Sequence, residues 1–97
     1  MRKIYKYVIP QAAFESGICS IAMPRDSTIL SFGSDVNGQL CIWAAVNPDS
    51  LPAKRRIACR FTGEESPATY QAFIGTHVDR LVYHCFACGW EGEMTGV

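Results

Sequence analysis

The sequence predicts one small domain that is mainly β, a sandwich or barrel of about seven short strands. The chain has 97 residues, which is enough for a single domain. Short segments rich in β-branched and aromatic residues alternate between apolar and polar side chains, as half-buried strands do. Proline, glycine and Asp or Asn separate these segments, and such residues favour turns.

The predicted strands follow one another with short connections. KIYKYVI opens the series and ends at Pro10, and Asn37-Gly38 is the strongest turn signal, because both residues tolerate positive φ. A very short turn at Asp79-Arg80 joins the last two strands. The tail 87–97 holds three glycines and is predicted to be flexible, so the domain spans 1–97 with its core at about 3–86. The predicted strands cover 3–9, 17–23, 28–34, 39–46, 55–62, 70–78 and 81–86.

The fourth predicted strand, QLCIWAAV, is apolar on both faces. Leu40 and Ile42 lie on one side with Val46, and Cys41 and Trp43 lie on the other. Such a strand is either central and covered on both faces, or it offers half of its surface as an interface. We therefore expect a homodimer that forms through this strand.

Composition restricts the class of protein. The hydrophobic fraction is 48% and the net charge is zero, which gives no general attraction to nucleic acid or membranes. The charge is split, however, with +4 on residues 1–60 and −4 on residues 61–97. The first residues lack the apolar run of a signal peptide, and no segment approaches a membrane span, so we expect a cytoplasmic protein.

Several segments taken in order resemble a family of small proteins encoded mostly by phages and prophages. They are KIYKYVI, MP followed by ILSF, CIWAAVNPD, FTGEE, FIGTH and LVYHCF, and the likeness covers about residues 3–86. The loop TGEESP and the cysteines Cys85 and Cys88 depart from the family's pattern. The family has no assigned activity, so the resemblance implies a viral origin and a cytoplasmic role in a host cell, and it implies no mechanism.

The only basic cluster lies on and just before the fifth predicted strand. Alternation in RRIACRFT projects Arg56 and Arg60 outward, next to Lys54 and Arg55. Together with an aromatic residue such as Trp43, this cluster could bind a small anionic nucleotide or single-stranded nucleic acid. The alternative is a solvated strand face whose arginines discourage edge pairing.

The segment His84-Cys85-Phe86-Ala87-Cys88-Gly89 resembles half of a zinc site. A structural zinc ion needs four ligands, and no second C-x-x-C exists. On a strand, His84 and Cys85 also point to opposite faces. A zinc site built on His84, Cys85 and Cys88 therefore stays a minor alternative, and a redox pair a weaker one, since no helix follows. A zinc ion would need further ligands from His77, Cys19, Cys41 or Cys59.

We expect no enzymatic activity and no cofactor. Neither His77 nor His84 has a carboxylate at a spacing that predicts an acid–base pair, and no nucleotide-binding or metalloprotease motif occurs. The leading hypothesis is a phage accessory protein that binds a host protein, for example a component of an antiviral defence system. The candidate binding residues are Trp43, Arg55, Arg56, Arg60 and His77.

Overall fold

A computed structural model describes residues 1–92 and confirms the mainly β prediction. Seven strands and one short helix follow one another along this part of the chain. None of the helices described there is long and apolar enough to cross a membrane. The bounds are β1 Lys3–Val8, α1 Ala12–Ser16, β2 Ile18–Pro24, β3 Thr28–Ser34, β4 Leu40–Val46, β5 Pro52–Phe61, β6 Ala72–Val78 and β7 Val82–Trp90.

The strands form two antiparallel sheets. The first sheet has the order β1-β4-β3, and the second sheet has the order β2-β5-β7-β6. The two sheets keep separate edges, so the fold is sandwich-like and is not a closed barrel. One side of the sandwich closes where β6 packs against β3. The two strands approach closely at Gly75 of β6, where an added Cβ would stand 3.8 Å from the Cβ of Phe32 on β3.

The core lies between the sheets and follows the period-two pattern of the sequence. Ile42 of β4 faces Ile57 and Cys59 of β5, and all three are completely buried. The neighbours of Ile57 and Cys59 in sequence therefore point away from the core, on a surface that we call the outer face of the second sheet.

Strand β4 is the central strand of the first sheet. It pairs with β1 on one edge and with β3 on the other, so neither edge is open to a second copy of the chain. Leu40 and Ile42 pack on the core, as predicted. Only the opposite face, which carries Trp43, remains for a partner at this strand.

The hairpin between β3 and β4 forms at the predicted turn, where Gly38 adopts a φ of 79° but Asn37 does not adopt a positive φ. Asp35 Oδ1 accepts hydrogen bonds from the backbone amides of Asn37 and Gln39, each 2.9 Å long. Lys6 Nζ lies 3.0 Å from Asp35 Oδ2. The hydrogen bond with Lys6, followed by that with the Gln39 amide, lowers the pKa of Asp35 to about 2.

Strand β7 is longer than predicted. The sequence indicated an end at Phe86, but β7 continues to Trp90 because β5 also starts earlier, at Pro52, and offers it a partner. Arg55 pairs with Trp90 in this added part. Four residues assigned to a flexible tail thus belong to the sheet, and residues 93–97 lie outside the described residues.

Candidate binding surface on the second sheet

The three arginines of β5 do not form one basic surface. Arg55 is 9% exposed, and its guanidinium donates to the carbonyl of Cys88 at 2.7 Å and to Gln71 Oε1 at 2.9 Å. Its guanidinium carbon also lies 5.0 Å from the centre of the Trp90 ring, within cation–π range. Arg55 therefore holds the end of β7 and the segment before β6 against β5.

Arg60 is also engaged within the protein. Its Nε donates to the carbonyl of Glu65 at 2.9 Å, and its Nη1 donates to the carbonyls of Cys59 and Gly17. Gly17 ends α1 with a φ of 86°, a left-handed conformation that glycine adopts without strain. Arg60 thus joins the end of α1 and the loop after β5 to the sheet.

Arg56 differs from both neighbours in being exposed. It lies on the outer face of the second sheet, where Ser20 of β2 is its cross-strand neighbour. Lys54 is also exposed and occupies the same face, because it stands two residues away on the strand. Of the three arginines in the predicted cluster, only Arg56 therefore has a guanidinium that is exposed to a ligand.

An apolar row crosses the outer face of the second sheet next to Arg56. It contains one residue from each strand, because Ile18 pairs with Ala58, Ala58 pairs with Phe86, and Phe86 pairs with Phe73. Ile18 is 49% exposed and Phe73 is 52% exposed, whereas Phe86 is half-buried and Ala58 is buried. We call these four residues, with Tyr70, the aromatic row.

Ring contacts hold the aromatic row together. The centre of the Phe73 ring lies 5.3 Å from that of the Phe86 ring, and the centre of the Tyr70 ring lies 4.8 Å from it. These distances are typical of stabilising aromatic pairs. A concavity of about 470 Å³ adjoins the row and is lined in part by Ile18, Arg56 and Tyr70. The arrangement offers apolar and aromatic surface near the exposed cation of Arg56.

The aromatic row was not predicted from the sequence. Alternation alone puts Phe86 on the same face of its strand as His84, but it cannot say which strands are neighbours. The row exists because β5 and β7 pair in a register that puts Ala58 opposite Phe86. A bulge between Phe73 and Gly75 then resets the register of β6. Pairing order and bulge position were the missing information.

The histidine and cysteines of the zinc alternative are spread over different environments. Thr62 Oγ1 lies 2.7 Å from Nε2 of His84, and Thr76 Oγ1 lies 2.8 Å from its Nδ1, so both ring nitrogens have protein partners. Cys85 is completely buried on the opposite face, as the sequence indicated, and Cys88 is half-buried. Within residues 1–92, no three His, Cys, Asp or Glu side chains form a group that could hold a metal ion.

Three cysteines lie side by side in the core on adjacent strands. Cys19 and Cys85 each interact with Cys59, which stands between them on β5. The hydrogen bond with Cys59, followed by burial, raises the pKa of the Cys19 thiol well above its ordinary value. A thiol must ionise to act as a nucleophile, so this arrangement does not activate Cys19.

The remaining two predicted residues lie away from Arg56. Trp43 is half-buried on the outward face of the first sheet, between its cross-strand neighbours Lys6 and Ser31. His77 is half-buried near the end of β6, with its ring 6.4 Å from Phe32. The structure therefore distributes Trp43, Arg56 and His77 over three surfaces.

Comparison with known proteins gives a family. A family model described as "Domain of unknown function (DUF7352)" matches residues 1–93. No curated protein and no solved structure matches the chain. The match covers both sheets and all the surfaces described above.

Proposed function

We propose that this chain, which belongs to the DUF7352 family, acts without catalysis by binding a protein partner through the outer face of its second sheet. The observation that supports this proposal is the aromatic row, in which Ile18 and Phe73 are about half exposed and the exposed cation of Arg56 lies near Ile18. Interfaces are enriched in aromatic residues and arginine, and their energetic centres combine these residue types.

Packing explains why this face suits a partner. The row spans four hydrogen-bonded strands, and its exposed apolar surface lies at Ile18 on one side and at Tyr70 and Phe73 on the other. Ring contacts with Phe86 already restrict Tyr70 and Phe73, so these side chains lose little further conformational freedom on binding. Contiguous exposed apolar patches on soluble proteins often mark interaction sites. Arg56 and Lys54 at the border would contribute orientation and association rate more than affinity.

We propose a host protein as the partner, in the cytoplasm of the cell in which the chain is made. The support is the resemblance of the sequence to small phage and prophage proteins. A phage accessory protein of this size can act by occupying a host component, such as part of an antiviral defence system. A second copy of the chain is the other protein that could cover the aromatic row.

The same face also suits a second ligand class, single-stranded nucleic acid or a nucleotide. Bases stack on exposed aromatic rings of sheets, and a neighbouring arginine can contact the phosphate. Tyr70 and Phe73 supply the rings, and Arg56 and Lys54 supply the cations. We rank this function second because Arg55 and Arg60 are engaged by groups of the protein itself.

The test compares two variants that each place a lysine at an exposed apolar position, on different sheets. Phe73→Lys alters the aromatic row, and the control Ile4→Lys alters an exposed apolar residue of β1 that is 68% exposed. Each tagged protein is purified from host cells, and its mass in solution is measured by light scattering. We expect wild type and the control to retain the same protein, and Phe73→Lys to lose it, with affinity reduced about 30-fold or more.

Two outcomes would contradict the proposal. One is loss of the partner with Ile4→Lys but not with Phe73→Lys, which would move the interface to the first sheet. The other is a strictly monomeric protein that retains nothing from host cells. In a further measurement, the wild-type protein and Arg56→Glu are each titrated into a fluorescent single-stranded oligonucleotide. Binding that weakens with salt and disappears in Arg56→Glu would establish the second ligand class instead.

A further inference from the structure

A groove lies at one end of the sandwich, away from the aromatic row. It has a volume of about 490 Å³ and is lined by residues of both sheets and of α1. Phe14 of α1 lines it and is only 3% exposed, and Leu40 of the first sheet faces Phe61 of the second. This volume falls within the range of sites that bind small molecules.

Aromatic rings form one side of this groove. Phe14, Phe61 and Tyr83 are in mutual contact, with ring centres 5.1 to 5.6 Å apart. His77 extends the cluster, with its ring centre 6.2 Å from Tyr83. The groove thus has a packed aromatic wall, and this wall includes the histidine that the sequence analysis singled out.

The two charged residues that line the groove are both acidic. Glu15 of α1 and Asp79 of the β6–β7 turn line it, and both are exposed at its rim. Gln11 and Gln39 add neutral amide groups. Within the part of the chain that the structure describes, neither lysine nor arginine lines the groove. An anion would meet two carboxylates here, whereas a cation would be attracted.

We infer that this groove binds a small organic cation with an aromatic body. Its ring would pack against the wall formed by Phe61, His77 and Tyr83, where flat apolar groups gain both buried area and ring contacts. Its ammonium would lie at the rim near Glu15 and Asp79. Aromatic faces also attract cations directly, which adds to the preference for positive charge.

This inference does not depend on the proposed protein-binding function. The groove lies at the ends of strands from both sheets, whereas the aromatic row lies on the outer face of the second sheet. A ligand in the groove would leave Phe73 and Ile18 exposed. Failure of one proposal therefore says nothing about the other, and their tests use different variants.

The experiment uses three probes of nearly equal shape and different charge. Benzylammonium, benzyl alcohol and benzoate are titrated into the ¹⁵N-labelled full-length chain and followed by NMR. We expect benzylammonium to bind with a dissociation constant on the order of millimolar, given its size. Its chemical-shift changes should centre on the amides of Phe14, Gln39 and His77. Benzyl alcohol should bind more weakly, and benzoate weakest of all.

A double variant tests the role of the rim. Glu15→Gln with Asp79→Asn removes both carboxylates at exposed positions, so the fold should be retained. The control, Asp49→Asn with Glu65→Gln, removes two exposed carboxylates elsewhere. We expect the rim variant to weaken benzylammonium about five- to tenfold, which corresponds to two exposed ion pairs, and the control to change it less than twofold.

Three results would overturn the inference. The first is no shift at the groove with any probe, and the second is benzoate binding as tightly as benzylammonium. The third is an equal loss of affinity in the rim variant and in the control, since this would reflect net charge alone. Selective loss in the rim variant, with unchanged amide spectra of the free protein, would support it.

Discussion

Replacement of Arg60 by methionine separates a structural arginine from a ligand-binding one. Methionine keeps most of the aliphatic stem and removes the guanidinium. The variant therefore loses the hydrogen bonds to the carbonyls of Gly17, Cys59 and Glu65. Arg56→Met makes the same chemical change four residues away, at an exposed position.

The expected cost follows from the surroundings of each carbonyl. The bonds to Gly17 and Cys59 are partly buried, whereas that to Glu65 is exposed and can be replaced by water. A hydrogen bond from a charged donor contributes about 1.5–3 kcal/mol, and we take the lower value for the two partly buried bonds. The free energy of unfolding should therefore fall by about 3 kcal/mol in Arg60→Met.

Urea denaturation followed by circular dichroism measures this difference directly. For a domain of this size, a loss of about 3 kcal/mol lowers Tm by roughly 12–24 °C. Arg56→Met should stay within about 0.5 kcal/mol of wild type, as surface substitutions usually do. Equal stability of the two variants would refute the claim that the hydrogen bonds of Arg60 stabilise the fold. Arg60 would then again be a candidate ligand-binding residue.

Three further predictions concern the turn after α1, the β3–β4 hairpin and the core thiols. Gly17→Ala should lower the free energy of unfolding by at least about 1 kcal/mol in urea, because φ is 86° and the new Cβ would stand 2.9 Å from Nη1 of Arg60; wild-type stability would contradict this. The pKa of Asp35 is lowered to about 2 from 3.8, so its contribution to stability is present above pH 4 and is lost as the pH falls toward 2. Between pH 5 and pH 2, Tm should therefore fall less in Asp35→Asn than in wild type, and equal falls would argue against the depressed pKa. Cys59 and Cys85 are completely buried, so a thiol reagent should label them only after denaturation, and rapid labelling of the native protein would show that the core opens.

The strands were largely predictable because the signals for them are local. Alternation in RRIACRFT correctly placed Ile57 and Cys59 inside and Arg56 outside. The turn at Asn37-Gly38 was visible in two adjacent residues. Each of these inferences needs only side-chain chemistry within a few positions of the chain.

The candidate site was only partly predictable because it depends on contacts between distant segments. Nothing near Arg60 in the sequence indicates that it reaches the carbonyl of Gly17, 43 positions earlier. The aromatic row likewise joins Ile18 to Phe73 through two intervening strands. Strand order, register and bulges determine both features, and a period-two pattern is compatible with many alternatives.

Site-specific photo-crosslinking in host cells is the most direct test of the binding surface. The photoreactive residue p-benzoylphenylalanine replaces Phe73 in one protein and Ile4 in the other, since both positions are exposed and lie on different sheets. We predict a discrete crosslinked product from position 73 and none from position 4. A product from position 4 alone would contradict the assignment of the second sheet as the binding face.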